Sequence, residues 1–120
     1  MSGCFHPETT IKSTPGMPIR LRELVVGPLP VEREIRVVAA VQHDGTTKWK
    51  ITDGFSVYGV TSGWSHGEPL PSNRDDAWIL EYRFDTLDAA LIAATKAVAE
   101  KLDEYLDLCK MMGLTPQLIE

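Results

Sequence analysis

Apolar residues recur in steps of three and four along one long stretch of the chain: Leu87, Leu91, Ala94, Val98, Leu102, Tyr105, Cys109 and Met112. This spacing is the stripe of a helix with one face on a core, and it predicts a helix from Leu87 to Met112. The ends agree with it. Thr86 suits the N-cap, and Asp85 and Asp88 place carboxylates at the positive helix end. Gly113 is placed for a left-handed C-cap, Leu114 for the apolar contact that accompanies it, and Pro116 stops any continuation. Lys110 puts a cation in the last turn. The alanines at 89, 90, 93, 94, 97 and 99 raise helix propensity and let a sheet approach closely. Such a helix is roughly 39 Å long, whereas an average strand spans only ~17–20 Å. Either a long strand lies beneath it or its second half needs other cover. That cover, over Leu102, Tyr105, Cys109 and Met112, is expected from the N-terminal arm or from a second copy in a homodimer.

Before the helix the period changes to two. Ile19 to Val26 reads as a strand, broken by Gly27-Pro28-Leu29-Pro30. Glu32 to His43 is the clearest strand, with Ile35, Val37, Ala39 and Val41 on one face. Asp44-Gly45 and Asp53-Gly54 are hairpin turns for positive φ, and they bracket Thr47 to Thr52 and lead into Phe55 to Thr61. Ser62 to Asp76 reads as a long polar loop, and Ile79 to Phe84 as a strand feeding the helix. The prediction is an α+β fold: an antiparallel meander of about four or five strands with one long C-terminal helix on one face. Residues 1–18, punctuated by Pro7, Pro15, Gly16 and Pro18, form a flexible arm, and residues 19–120 form a single domain. The expected core is Ile35, Val37, Val41, Trp49, Ile51, Phe55, Val57, Phe84, Leu87, Leu91, Ala94, Val98 and Leu102.

Composition narrows the class. An apolar share of 43% and a charged share of 24% over 120 residues are those of a soluble globular domain. No apolar run approaches a membrane span and no basic-then-apolar N-terminus suggests a signal peptide, so the cytoplasm is the expected compartment. Cys4 and Cys109 fit reduced thiols better than a disulfide scaffold. Cys4 and His6 lack a second ligand pair, so neither a zinc site nor any other cofactor is expected. The net charge of −5 is unevenly placed: residues 1–60 hold seven Lys/Arg and six Asp/Glu, residues 61–120 five against eleven. An acidic half disfavours a nucleic-acid backbone and suits a basic partner, although a solvated helix face is the plainer reading.

Candidate chemistry is sparse. No G-x-S-x-G elbow frames a serine, and Cys109 lies on the apolar stripe, where a structural thiol is the ordinary reading. The loop acids Glu68, Asp75 and Asp76, with His66, are the alternative site of a small enzyme; adjacent acids more often cap a turn or pair with Arg74. Arg33, Arg36, Lys48 and Lys50 are the alternative nucleic-acid set, with Trp49 between the lysines and more simply a core residue. Trp64, in a polar loop, is either an exposed anchor for a partner or folds back onto the sheet.

The stretch from Lys48 to Val98 resembles a block in small proteins of phages and bacterial mobile elements. The residues that carry it are Trp49-Lys50-Ile51, Gly63-Trp64, the run Glu68-Pro69-Leu70-Pro71-Ser72-Asn73-Arg74-Asp75-Asp76, and Tyr82-Arg83-Phe84-Asp85-Thr86 leading into Ala89-Ala90. The strands before Lys48 and the continuation past Val98 lie outside it. The resemblance implies a phage setting rather than an activity. Together with the missing catalytic motif, it makes a non-enzymatic protein-binding accessory protein the leading expectation. Blocking a host defence complex, in the manner of anti-CRISPR proteins, is its most specific form. The binding residues would be Trp64, His66, Glu68, Arg74, Asp75 and Asp76 in the loop and Glu100, Asp103, Glu104 and Asp107 on the helix.

Overall fold

The computed structural model describes residues 10–12 and 18–119. Cys4, His6 and most of the expected arm lie outside the described residues. Strands β1 (Thr10–Lys12) and β2 (Pro18–Arg20) pair antiparallel as a separate two-stranded ribbon. The strand expected over Ile19 to Val26 is therefore divided: β2 pairs with β1, while β3 (Glu23–Val26) pairs with β4.

The main sheet is a five-stranded antiparallel meander, ordered β3, β4 (Ile35–Val41), β5 (Thr47–Thr52), β6 (Ser56–Gly59) and β7 (Gly63–His66). The fold is the α+β arrangement that the periodicity predicts. Both Asp-Gly dipeptides turn the chain as expected, with Gly45 at φ 84° and Gly54 at φ 99°. The long loop is shorter than its polarity suggested: its first residues form β7, paired with β6 from Ser56↔His66 to Gly59↔Gly63.

Helix α2 (Leu87–Met112) has the predicted bounds and caps. Thr86 Oγ1 accepts the Ala89 N–H at 3.1 Å, Gly113 sits at φ 67°, and the Leu114 N–H donates to Cys109 O at 2.8 Å. The helix lies across β3, β4 and β5. Ile35, Val37, Trp49 and Ile51 alternate into this interface, and Leu87, Ala90, Ala94, Ala97 and Val98 meet them.

Two expected core residues stand in solvent. Phe55 is 87% exposed, because Asp53 Oδ1 accepts the N–H groups of Phe55 (2.9 Å) and Ser56 (2.7 Å) and holds Phe55 in the turn. Strand β6 then starts at Ser56, and Tyr58 enters the core cluster under the helix. Val41, 61% exposed, is the last residue of β4, where the strand gives way to the turn before Thr47.

The segment expected as a strand from Ile79 to Phe84 is mostly helix α1 (Asp76–Tyr82). The Asp75 carboxylate caps it, accepting the Trp78 N–H at 2.8 Å. Only Phe84 keeps the strand role, exchanging backbone hydrogen bonds of 2.7 and 2.8 Å with Trp49. α1 contacts β6, where Val57 is 2% exposed, so both faces of β6 are buried. Glu81 fastens α1 to the β6–β7 turn: its carboxylate accepts from the amides of Thr61 (2.9 Å) and Ser62 (2.6 Å) and from both hydroxyls.

Among the described residues, two other segments cover part of the far half of α2. The chain between β3 and β4 supplies Leu29, and Arg33 stacks 5.1 Å over the Tyr105 ring. The C-terminal tail returns as well: the Gln117 N–H donates to Tyr105 Oη at 2.9 Å and the Ile119 N–H to Pro28 O at 2.8 Å. Gly27 permits this approach, because at φ +90° a Cβ there would sit 2.5 Å from Val98 Cγ1. Tyr105 and Cys109 are thereby buried, while Met112 stays 62% exposed.

Candidate functional site

The flank of α2 that faces the β5–β6 turn carries two adjoining hollows. The first, about 270 Å³, has Leu29 and Ile35 among its lining residues, with Phe55, Asp53, Lys101, Glu104, Glu32 and Arg33 around it. The second, about 390 Å³, is lined by Arg33, Glu104, Asp107, Leu108 and Met111. Arg33 and Glu104 line both, so the two form one groove. Phe55 stands beside the first hollow and Met111, 84% exposed, beside the second.

The groove is acidic. Four carboxylates (Glu32, Asp53, Glu104, Asp107) face two cations (Lys101, Arg33) across the two hollows. Both cations are engaged internally. Lys101 Nζ lies 3.6 Å from Asp53, 3.9 Å from Glu104 and 4.9 Å from the Trp64 ring centre, and Arg33 covers Tyr105. Burial pushes the Asp53 carboxyl up, but the Ser56 and Phe55 amides and Lys101 outweigh it, so Asp53 stays ionised below the usual carboxylate range.

Trp64 belongs to the scaffold of this groove. It sits on β7, packs edge-on against Tyr58 at 5.3 Å, and donates from Nε1 to Ala97 O at 3.3 Å. It is part of the sheet itself and bonds the helix, where its place in the sequence had suggested an exposed anchor or a loop residue folded back onto the sheet. Tyr58 Oη donates to Glu100 at 2.7 Å; burial and this bond raise the phenol to about 12. Glu100 and Trp64 thus tie sheet to helix.

The loop residues gather elsewhere, on the sheet face opposite α2. Glu68 meets Arg83 at 2.8 Å, Arg74 at 3.3 Å and Lys50 at 3.4 Å. Arg83 is nearly enclosed, and the Trp78 ring lies 5.2 Å from the Arg74 guanidinium and 4.8 Å from that of Arg83. Burial raises the Glu68 carboxyl, but Arg83, Lys50 and Arg74 together hold it below its ordinary value. Burial lowers the Arg83 guanidinium, and Glu68 offsets that only in part. A carboxylate held ionised this firmly is the opposite of a general acid poised near neutrality.

The residues proposed for an acid/base site are not assembled into one. Asp75 serves as a helix cap, Asp76 opens α1 in solvent, His66 is exposed at the end of β7, and Glu68 is neutralised. Arg74 pairs with Glu68 rather than with its neighbours Asp75 or Asp76, since the cap role takes Asp75. Of the helix acids, Glu104 and Asp107 line the groove, while Asp103 is exposed without lining either hollow.

The basic set is likewise divided. Arg36, Lys48 and Lys50 share the face opposite α2, but each already meets a carboxylate: Glu23 at 3.6 Å, Asp85, and the shared Glu68. Arg33 lies on the other side, against α2. Sequence reasoning missed Phe55, Lys101, Leu108 and Met111 as groove residues and Arg83 as the buried cation. For Phe55 a signal existed, because Asp at the start of a turn commonly bonds the amides that follow it.

Among the described residues no group of three or more His, Cys, Asp or Glu is placed to hold a metal ion, and no helix is long and apolar enough to cross a membrane. No protein-family model, curated protein or solved structure matches this chain.

Proposed function

We propose that this chain is a non-enzymatic protein-binding module whose α2 flank receives a basic, amphipathic segment of a partner protein. The observation that carries the reading is the groove itself: Phe55 and Met111 exposed in water beside a concave surface whose two cations among the described residues are already engaged. Apolar side chains of the partner would seat against Phe55, Leu108 and Met111, and its Lys or Arg residues would meet Glu32, Glu104 and Asp107. The resemblance of the Lys48–Val98 block to phage proteins supports one version, in which the partner belongs to a host defence complex. The nucleic-acid reading draws less support, because Arg36, Lys48 and Lys50 each already meet a carboxylate.

The test is capture from nuclease-treated host lysate with three baits: the wild type, Asp107→Lys, and Leu80→Ser on the exposed face of α1. Loss of one protein with Asp107→Lys alone is expected. Equal recovery by all three baits would overturn the groove, and recovery that disappears with nuclease would favour nucleic acid.

A further inference from the structure

The ionic cluster on the other sheet face contains more positive charge than it needs. Lys50, Arg74 and Arg83 surround a single carboxylate, Glu68, leaving a local excess of two positive charges. Arg83 is the unusual member, with a side chain only 3% exposed. A guanidinium carries five N–H donors. Among the described residues Arg83 donates one aligned hydrogen bond, from Nη1 to Tyr82 O at 3.0 Å. Its Nη2 meets Glu68 Oε1 at 2.8 Å, yet that oxygen has no aligned hydrogen bond. Arg74 uses Nε on Pro69 O and Nη2 on Glu68, so its Nη1 has no partner among the described residues.

Both arginines line a cavity of about 190 Å³ between the end of β4 and the loop before α1. Its other walls are apolar (Ala40, Val41, Ile79, Pro71) or hydrogen-bonding (Gln42, His43), and among the described residues no carboxylate lines it. Guanidinium donors not all used by their own ion pairs, at the wall of a cavity with no carboxylate among its described lining residues, match the bidentate recognition of a planar or tetrahedral oxyanion.

We propose that this cavity is a binding site for a small oxyanion, a carboxylate or a phosphate, held by Arg74 and Arg83 with Gln42 and His43 at its edge. The site is separate from the α2 groove and does not depend on the protein-binding reading. Glu68 acts here as the positioning residue that holds both guanidinium groups in place.

The test follows side-chain ¹H–¹⁵N signals of the arginines, Gln42 and His43 by NMR during titration with inorganic phosphate and, separately, acetate, at constant ionic strength in chloride. Saturable shifts confined to these residues are expected for at least one anion, and which anion saturates tells phosphate from carboxylate chemistry. Val41→Glu, at an exposed position on the cavity wall, adds a repelling charge without touching the cluster, and is expected to weaken binding about tenfold or more. Arg74→Gln should do the same. Non-saturating shifts with both anions, shifts spread over the surface lysines, or wild-type affinity in Val41→Glu would each overturn the site.

Discussion

Replacing Glu68 with alanine tests the electrostatic account of the sheet face most sharply. The change leaves Lys50, Arg74 and Arg83 together with no carboxylate among them. Lys50 and Arg74 are about a quarter exposed (27% and 24%) and can recover water, but Arg83 at 3% cannot. Stranding a buried charge by removing its partner costs about 3–5 kcal/mol. With two of the three cations able to rehydrate, the lower end, about 3 kcal/mol, is expected, a large part of the ~5–15 kcal/mol that holds a small domain together. Urea unfolding at neutral pH should show this as a lower midpoint with an unchanged slope. Glu68→Gln keeps the shape and loses the charge, so it should fall between. Because the folded-state pKa of Glu68 is depressed, the stability it contributes is fully present above its unfolded value and is lost as pH falls through the folded value. The gap between wild type and Glu68→Gln should therefore be constant above about pH 5 and close in acid. A Glu68→Ala variant within about 0.5 kcal/mol of wild type, or a gap that stays open in strong acid, would refute the reasoning.

Other expectations follow from single contacts. Gly27→Ala should destabilise by more than about 1 kcal/mol in urea unfolding, since it needs φ +90° and meets Val98 Cγ1, and Val98→Ala should recover only the steric part. The hydroxyl and amide of Ser62, then those of Thr61, hold the Glu81 carboxyl down at about 2, so its NMR titration should be complete only well below the usual carboxylate range; an ordinary midpoint would mean that α1 is not fastened to the β6–β7 turn. Trp64→Ala should cost about 2 kcal/mol of stability, whereas Phe55→Ala should change it by no more than about 0.5 kcal/mol. The reverse order would mean that the two rings had been assigned the wrong roles.

What could be read from the sequence was what local chemistry decides. The limits of α2 are legible because Thr86, Gly113 and the apolar period all act within a few residues of one another. The meander is legible because Asp-Gly dipeptides set its turns. α1 was not, because a short apolar run such as Trp78-Ile79-Leu80 fits strand or helix alike, and the Asp75 cap decided the matter. Phe55 was misplaced by a rule of alternation that the Asp53 side chain interrupts. The cover over Tyr105 and Cys109 and the grouping of Lys50, Glu68, Arg74 and Arg83 join distant segments, and no pattern within one segment announces them. The acids of α2 showed part of the groove, but its apolar half needs Leu29 and Phe55, brought in from earlier in the chain.

The central claim, that the α2 groove receives a basic amphipathic segment, is tested most directly by photo-crosslinking. A benzophenone side chain at Phe55, with the same probe at Leu80 as reference, would be irradiated in the cells that produce the protein and the crosslinked peptide sequenced. The account predicts one partner peptide at position 55, with lysine or arginine interleaved with apolar residues, and none at position 80. No crosslink at 55, or the same partner at both positions, would contradict it.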